Sequence, residues 1–384
     1  MKITGLKVYV VDPSGQQAKF GRTWTFVQVE TDEGLTGVGE CTNYPGGGSL
    51  ITGNTVHLLA EVLIGEDPDA LNRIWHKIYR RFTYLGSRGL PTAAASAIDI
   101  ALWDIQGQAL NRPVYQLLGG KVRDTVSLYA NGWFGGCQTP EDYAEAAKRP
   151  VAGGHTALKF DPFKEMRHFH TAYLDGQISA EGEDHGVSLV AAVREAVGPN
   201  IEILIDAHGH YNVPTAVRLC HRLEPYKIGW FEEPLPPESP QALRSVREQV
   251  NVPICVGERL YTRFDFVPIF EQRLADFIMP DVCWTGGISE LLRIAAMAEA
   301  YYVPISPHNA LGPIQIVAGA HAMMTVPNFY RLEHSVGQIP KYQACLDRPI
   351  EFRDGHVLVS DRPGLGVALN LDFIRANLVT SWEA

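Results

Sequence analysis

The sequence predicts an α/β fold: a (β/α)7-8 TIM-type barrel preceded by an N-terminal α+β capping domain. Three observations predict it. From about residue 126, short apolar runs alternate with amphipathic helical stretches, which is the pattern of a parallel sheet covered on both faces. Before that point, strand-like segments come first and helical ones follow, without alternation. At 384 residues the chain also exceeds one average domain and has room for a barrel with additions. The expected division is a cap over 1–125, a barrel over 126–339, and a closing segment at about 340–384 that packs back on the cap.

In chain order, residues 2–11 and 25–31 read as strands, and TDEGLTGVGE at 31–40 supplies a turn and a third strand. Two polar loops, 13–24 and 43–54, separate or follow them. The segment PTAAASAIDIALWDIQGQALN sets Ala94, Ile98, Leu102, Ile105 and Ala109 on one helical face, with Pro91 and Thr92 near its start. Gly119-Gly120 stops the helical pattern before it. The eight apolar runs are VSLYA (126–130), TALKF (156–160), IEILID (201–206), IGWFEE (228–233), PICVGE (253–258), ADFIMPD (275–281), YVPIS (302–306) and FYRLE (329–333). Eight runs with helices between them fit a closed barrel better than an open sheet.

Composition excludes several classes. Hydrophobic residues at 46% and charged residues at 20% describe a soluble protein with ample core. No apolar run approaches the roughly 20 residues of a membrane span, and the first residues alternate like a strand rather than a signal peptide. A net charge of −10 without a basic cluster argues against nucleic acid, but not against an anionic small molecule beside a bound cation. Six scattered cysteines with no CxxC pair read as reduced thiols of a cytoplasmic protein.

Three successive runs end in an acid: Asp206, Glu232 and Glu258, each 26 residues from the next. Catalytic side chains of a barrel sit at the carboxyl ends of its strands, so the three aim at one place. Uncompensated, they would repel and hold protons. A hard divalent cation removes that conflict, and oxygen-only ligation suits Mg2+.

The pieces IDAHGHYN, WFEEPL, VGERL, MPDVCWTGGI and SPHNALGPI, followed by LEHS, resemble the mandelate racemase subgroup of the enolase superfamily. The likeness spans essentially the whole chain, and its closest look is that of galactonate dehydratase-like acid-sugar dehydratases. It implies a Mg2+ site at Asp206, Glu232 and Glu258, with the first glutamate of WFEEPL as ligand and Glu233 turned the other way. It also implies a small-molecule sugar acid as substrate and a symmetric homo-oligomer.

Two histidines stand where acid-base chemistry would need them. His208 lies two residues past Asp206, so extended geometry would turn it to the same side. His308 follows the seventh run, and Asp281, at the end of the sixth, is placed to hold its tautomer. The resemblance supports an Asp281–His308 dyad and His208 as second histidine. His210 and His334 flank site positions; the others, His321 among them, read as structural. Racemases of the subgroup carry K-x-K on the second strand, whereas this chain has Lys159-Phe160-Asp161. That removes the usual second base and disfavours simple racemisation. Lys159 is open to two readings: a contact to substrate or ligand acids, or an inward ion pair. Glu333 matches an acid that hydrogen-bonds the substrate carboxylate or the enediolate. With Asp161, His210, Tyr44 and Trp24, these two make the candidate substrate-binding set.

The expected function is Mg2+-dependent dehydration of an aldonate to a 2-keto-3-deoxy acid. His308 removes the C2 proton, and His208 protonates the departing C3 hydroxyl. Loops carrying Phe20, Arg22, Trp24, Asn43 and Tyr44, with Gly46-Gly47-Gly48 as a hinge, are expected over the barrel mouth. The long 160–186 connection reads as a lid or a subunit contact. Rival readings are epimerisation or cycloisomerisation through the same intermediate, a metal hydrolase (which lacks its HxH on the first strand), and a non-catalytic metal-binding protein.

Overall fold

The structure is a computed structural model and describes residues 1–15, 23–43, 47–163 and 176–384. Phe20, Arg22, Tyr44, Gly46 and residues 164–175 of the 160–186 connection lie outside the described residues.

The cap begins with β1 (Ile3–Val11), β2 (Trp24–Thr31) and β3 (Thr36–Glu40), joined antiparallel with Val8 opposite Val27 and Phe26 opposite Glu40. The expected three-stranded sheet has a fourth member, Leu378–Glu383 from the chain's end, which pairs with β1. The helix Leu90–Ala109 lies across this sheet. Its approach is close: a Cβ on Gly37 or Gly39 would run into the carbonyls of Ala101 and Ala97. One buried face was expected for this helix, yet Thr92–Leu102 are all buried, whereas Ala109 is exposed. The reason is that it is sandwiched between the cap sheet and the barrel helix Gly287–Ala300.

The barrel runs through β4 (Val126–Asn131), β5 (Ala157–Phe160), β6 (Glu202–Asp206), β7 (Trp230–Glu232), β8 (Ile254–Val256) and β9 (Phe277–Ile278), all parallel. The seventh stave is reduced to Ile305, which bridges Ile278 and Phe329. Pro304 and Pro307 flank it and have no N–H to donate to a ladder. β10 (Leu332–Ser335) then pairs with β4 and closes the ring. Tyr129, Ala157, Leu204, Trp230, Cys255 and Met279 form one buried cluster contributed by six successive staves. Residues 351–353 and 356–358 form a hairpin, β11–β12, that leans on β4, so the last segment touches the barrel as well as the cap sheet.

Two buried cap acids fasten the cap to the barrel. Asp99 accepts from the backbone N–H of Ser289 (3.0 Å), in the first turn of the Gly287–Ala300 helix. Glu40, at the end of β3, accepts from the N–H groups of Gly312 (2.7 Å), Ile314 (3.1 Å) and Gln315 (3.1 Å), at the start of the Pro313–Met323 helix. Carboxylates at helix N-termini satisfy orphan donors and oppose the positive end of the dipole. Burial pushes both carboxyls up to about 7. All six cysteines are free.

His321, read as structural, is buried in the Pro313–Met323 helix; its Nδ1 accepts from the Tyr115 N–H (3.3 Å) and its Nε2–H donates to the Leu365 carbonyl (3.1 Å). A second ring proton would face a donor, and burial pushes this imidazole down to about 4. The unfolded chain binds a proton below its ordinary value near 6.5 while the native chain does not, so stability is lost as pH falls from about 6.5 towards 4. Replacing His321 with Gln should remove roughly 2 kcal/mol of the change in stability between pH 7 and pH 5. Urea unfolding of both proteins at the two pH values checks this; identical pH differences would refute it.

Candidate active site

At the carboxyl ends of β6, β7 and β8 the chain delivers Asp206, Glu232 and Glu258, all buried, with one carboxylate oxygen from each within 4.8 Å of the others. Asp206 and Glu232 are in direct register across the β6–β7 ladder. A three-carboxylate, all-oxygen donor set at this spacing suits a hard divalent cation. Glu233, next in line, turns away through a positive φ of 39° and binds Arg259 instead (Nε to Oε2, 2.6 Å).

Lys159 points inward from β5 and is buried. Its Nζ lies 2.6 Å from Glu232 Oε1, 3.0 Å from Glu333 Oε1 and 3.2 Å from Asp206 Oδ2. Burial alone would lower its pKa, but Glu232 and Glu333 outweigh that and hold the ammonium well above its usual range. Three carboxylates within 3.2 Å thus favour the charged form of Lys159. Glu333 also accepts from Asn131 Nδ2 (2.6 Å) and the Asn309 N–H (2.9 Å). Despite burial, Lys159 and His308 keep its carboxyl below the ordinary value.

His308 enters from the opposite rim. Its Nδ1 meets Asp281 Oδ2 at 2.5 Å, and its Nε2 stands 3.4 Å from Glu258 and 3.8 Å from Glu333. The carboxylate fixes the proton on Nδ1 and leaves Nε2 facing the acids. Burial opposes its charge, yet Glu258 and Glu333 raise its pKa to about 9. Asp281 itself accepts from the Cys283 N–H (2.7 Å) and from Gln315 Nε2 (2.6 Å).

His208 reaches the cluster by a different route from the extended one expected. It sits at φ 49°, in the left-handed region, with its N–H on Asp206 Oδ1 (3.0 Å). Its Nδ1 lies 3.2 Å from Asp161 Oδ2 and 3.3 Å from Asp206 Oδ1. The side chain is 38% exposed against 8% for His308, so it stands at the mouth. Asp206 and Asp161 overcome desolvation and raise it to about 10. Asp161 thus meets His208 at the residue that replaces the second lysine. His210 is buried and stacks on His208 (5.9 Å). His334 faces away from Glu333 and stacks on Phe352 of the β11–β12 hairpin (4.3 Å). Trp24 is buried against Phe26 and Tyr342, at 6.2 and 5.6 Å between ring centroids. Tyr44 lies outside the described residues.

Sequence reasoning missed Asn131, Gln315 and Trp284. Asn131 closes the first barrel strand as the acids close later ones, a signal that was readable. Trp284, whose ring lies 5.3 Å from that of His308, and Gln315 carry no local signal.

Comparison with known proteins agrees with this geometry. Residues 142–373 match the enolase C-terminal domain-like family model, and residues 16–119 match the mandelate racemase / muconate lactonizing enzyme N-terminal domain. The chain belongs to the mandelate racemase/muconate lactonizing enzyme family of the enolase superfamily. Among relatives, it is 38% identical to a D-gluconate dehydratase of Thermoproteus tenax, over 90% of this chain and 67% of that one. It is 38% identical to a D-galactonate dehydratase of Pectobacterium atrosepticum, over 100% and 96%. Identity to a D-xylonate dehydratase of Haloferax volcanii is 34%, over 93% and 85%. The structure of an enolase superfamily member from Salmonella Typhimurium superposes with a TM-score of 0.92 at 31% identity, covering 100% of this chain and 99% of that one. The cap-plus-barrel architecture of this enolase superfamily chain is thus shared with solved relatives.

Proposed function

We propose that this enolase superfamily enzyme dehydrates an aldonic acid to a 2-keto-3-deoxy acid, with Mg2+ held by Asp206, Glu232 and Glu258. The observation that carries the reading is a pair of imidazoles against different members of the acid cluster, His208 at Asp206 and His308 at Glu258, with the Lys159 ammonium paired to three carboxylates. When bound, Mg2+ supplies positive charge that offsets repulsion among its ligands and stabilises charge developing on the substrate carboxylate. His308 Nε2, neutral once the Glu258 charge that raises its pKa is offset, takes the C2 proton, with Asp281 stabilising the imidazolium. Lys159 and Glu333 flank the place where the enediolate oxygens gather charge. His208, held protonated by Asp206 and Asp161, gives its proton to the C3 hydroxyl; the C3–O bond breaks, water leaves, and the enol tautomerises to the ketone. Three relatives are dehydratases of D-gluconate, D-galactonate and D-xylonate, which supports the substrate class.

The test is incubation of the enzyme and Mg2+ with D-galactonate, D-gluconate and D-xylonate, scoring 2-keto-3-deoxy acids. C2 deuterium exchange without net water loss would favour an epimerase instead. Replacing His208 with Asn should slow water loss by about 10²–10⁴-fold and spare part of the exchange. Equal loss of both would refute the division of labour. We also read the protein as a cytoplasmic homo-oligomer: its free cysteines suit a reducing compartment, and the exposed Tyr84 and Leu85 suit a subunit contact. No helix among the described residues is long and apolar enough to cross a membrane.

A further inference from the structure

The Asp281–His308 pair belongs to the barrel, but the groups that surround it lead back to the cap. Glu40 holds three backbone N–H groups at the start of the Pro313–Met323 helix, one of them from Gln315. The Gln315 side chain cannot turn at random: its Oε1 accepts from the Leu311 N–H (2.8 Å), so Nε2 is directed at Asp281 Oδ2 (2.6 Å), the oxygen that also faces His308 Nδ1. A second connection starts two residues after Glu40. The Thr42 carbonyl accepts from Trp284 Nε1 (2.6 Å), and the Trp284 ring lies 5.3 Å from the His308 ring at 30°. Thr42 Oγ1 donates to Glu40 Oε1 (2.7 Å), which ties the two connections together. Glu40, Thr42, Gln315 and Asp281 are all fully buried.

We propose that the end of cap strand β3, Glu40 to Thr42, positions the barrel's acid-base pair, with Glu40, Gln315 and Trp284 as positioning residues for His308. The proposal rests on the dehydration reading above. Asp281 sets the edge of the imidazole and Trp284 covers one face; the cap holds both. A carboxylate with three donors has one orientation, whereas Asp281 without Gln315 keeps, among the described residues, Cys283 and His308. Reacting groups tolerate little such freedom, because a displacement of about 1 Å costs on the order of 10²-fold in rate.

Asp99 provides the internal comparison. It is a buried cap acid at a barrel helix N-terminus, like Glu40, but its bond goes to Ser289, beyond the loop that carries Asp281 and Trp284. Both latches fasten the cap; of the two, Glu40 is the one whose bonds among the described residues lead through Gln315 to the dyad.

The experiment uses the full Mg2+-loaded enzyme with whichever of the three aldonates above turns over fastest. Gln315→Leu and Glu40→Gln are expected to lower kcat by about 10–100-fold, with the Mg2+ requirement unchanged. Trp284→Phe, which keeps a ring but loses the N–H, should lower kcat by a smaller factor. Asp99→Asn should lower Tm and leave kcat alone. A readout independent of turnover is the downfield proton resonance of the His308 Nδ1–H, assigned by its loss in His308→Asn. It should shift in Gln315→Leu and Glu40→Gln and stay in place in Asp99→Asn. Unchanged kcat in Gln315→Leu and Trp284→Phe overturns the proposal, as does a rate loss in Asp99→Asn equal to that in Glu40→Gln. If Glu40→Gln does not fold, the other two variants decide. Full activity of His308→Asn would instead defeat the dehydration reading, whereas an unmoved resonance in Gln315→Leu defeats the positioning claim alone.

Discussion

Replacing His308 with Asn should abolish C2 deuterium exchange and dehydration together, each by about 10²–10⁴-fold or more. Both fall because proton removal precedes loss of the C3 hydroxyl, so nothing downstream can proceed. Among the described residues neither Lys159 nor His208 stands in for His308 Nε2: Lys159 is surrounded by three carboxylates, and His208 stands at the mouth against Asp161. Asn keeps a polar group beside Asp281 and removes the base, so folding and metal binding should be retained. Exchange in D2O, followed by proton NMR at C2, is the measurement. Exchange at the wild-type rate would show that another group is the base.

Replacing Lys159 with Met should destabilise the metal-free protein by about 3–5 kcal/mol, because it strips the cation from a buried cluster and leaves Asp206, Glu232 and Glu333 facing one another. Added Mg2+ should restore more stability to this variant than to the wild type, since a cation that binds only the native state stabilises in proportion to its affinity. Turnover should stay low even with Mg2+, because the ammonium next to Glu333 is gone. Urea unfolding with and without Mg2+ reads the first effect. A metal-free variant as stable as the wild type would show that the carboxylates relieve their repulsion without the lysine.

Much of this site was legible because its signals are local. A strand that ends in an acid is visible in one run of residues, and three such strands at equal spacing place Asp206, Glu232 and Glu258 together. The eight apolar runs were readable for the same reason, even the seventh, which survives as two bridges made by Ile305 alone. What was not legible depends on partners far along the chain. Glu40 meets Gln315 across 275 residues, and no periodicity in either segment announces it. The last strand pairs with the first, yet its half-exposed LVTSWE carries little apolar signal. Lys159 remains open to both readings, since its contacts to Asp206, Glu232 and Glu333 join an inward ion cluster to the ligand acids themselves. His208 was expected on the right side of the barrel for a reason the backbone does not obey: extended geometry ends at Asp206.

That left-handed turn at His208 has an evolutionary side. A bulky side chain at φ 49°, followed by Gly209 at φ 65°, occupies backbone space that Asn or Gly would fill at less cost, roughly 1 kcal/mol or more. The residue best suited to the turn is not the one that can carry a proton. Selection for thermal robustness alone would drift position 208 towards Asn and retire the reaction while improving the fold. On the proposed role of His208, a stabilising substitution here would come at the expense of the reaction, and engineering of the protein should leave this position alone.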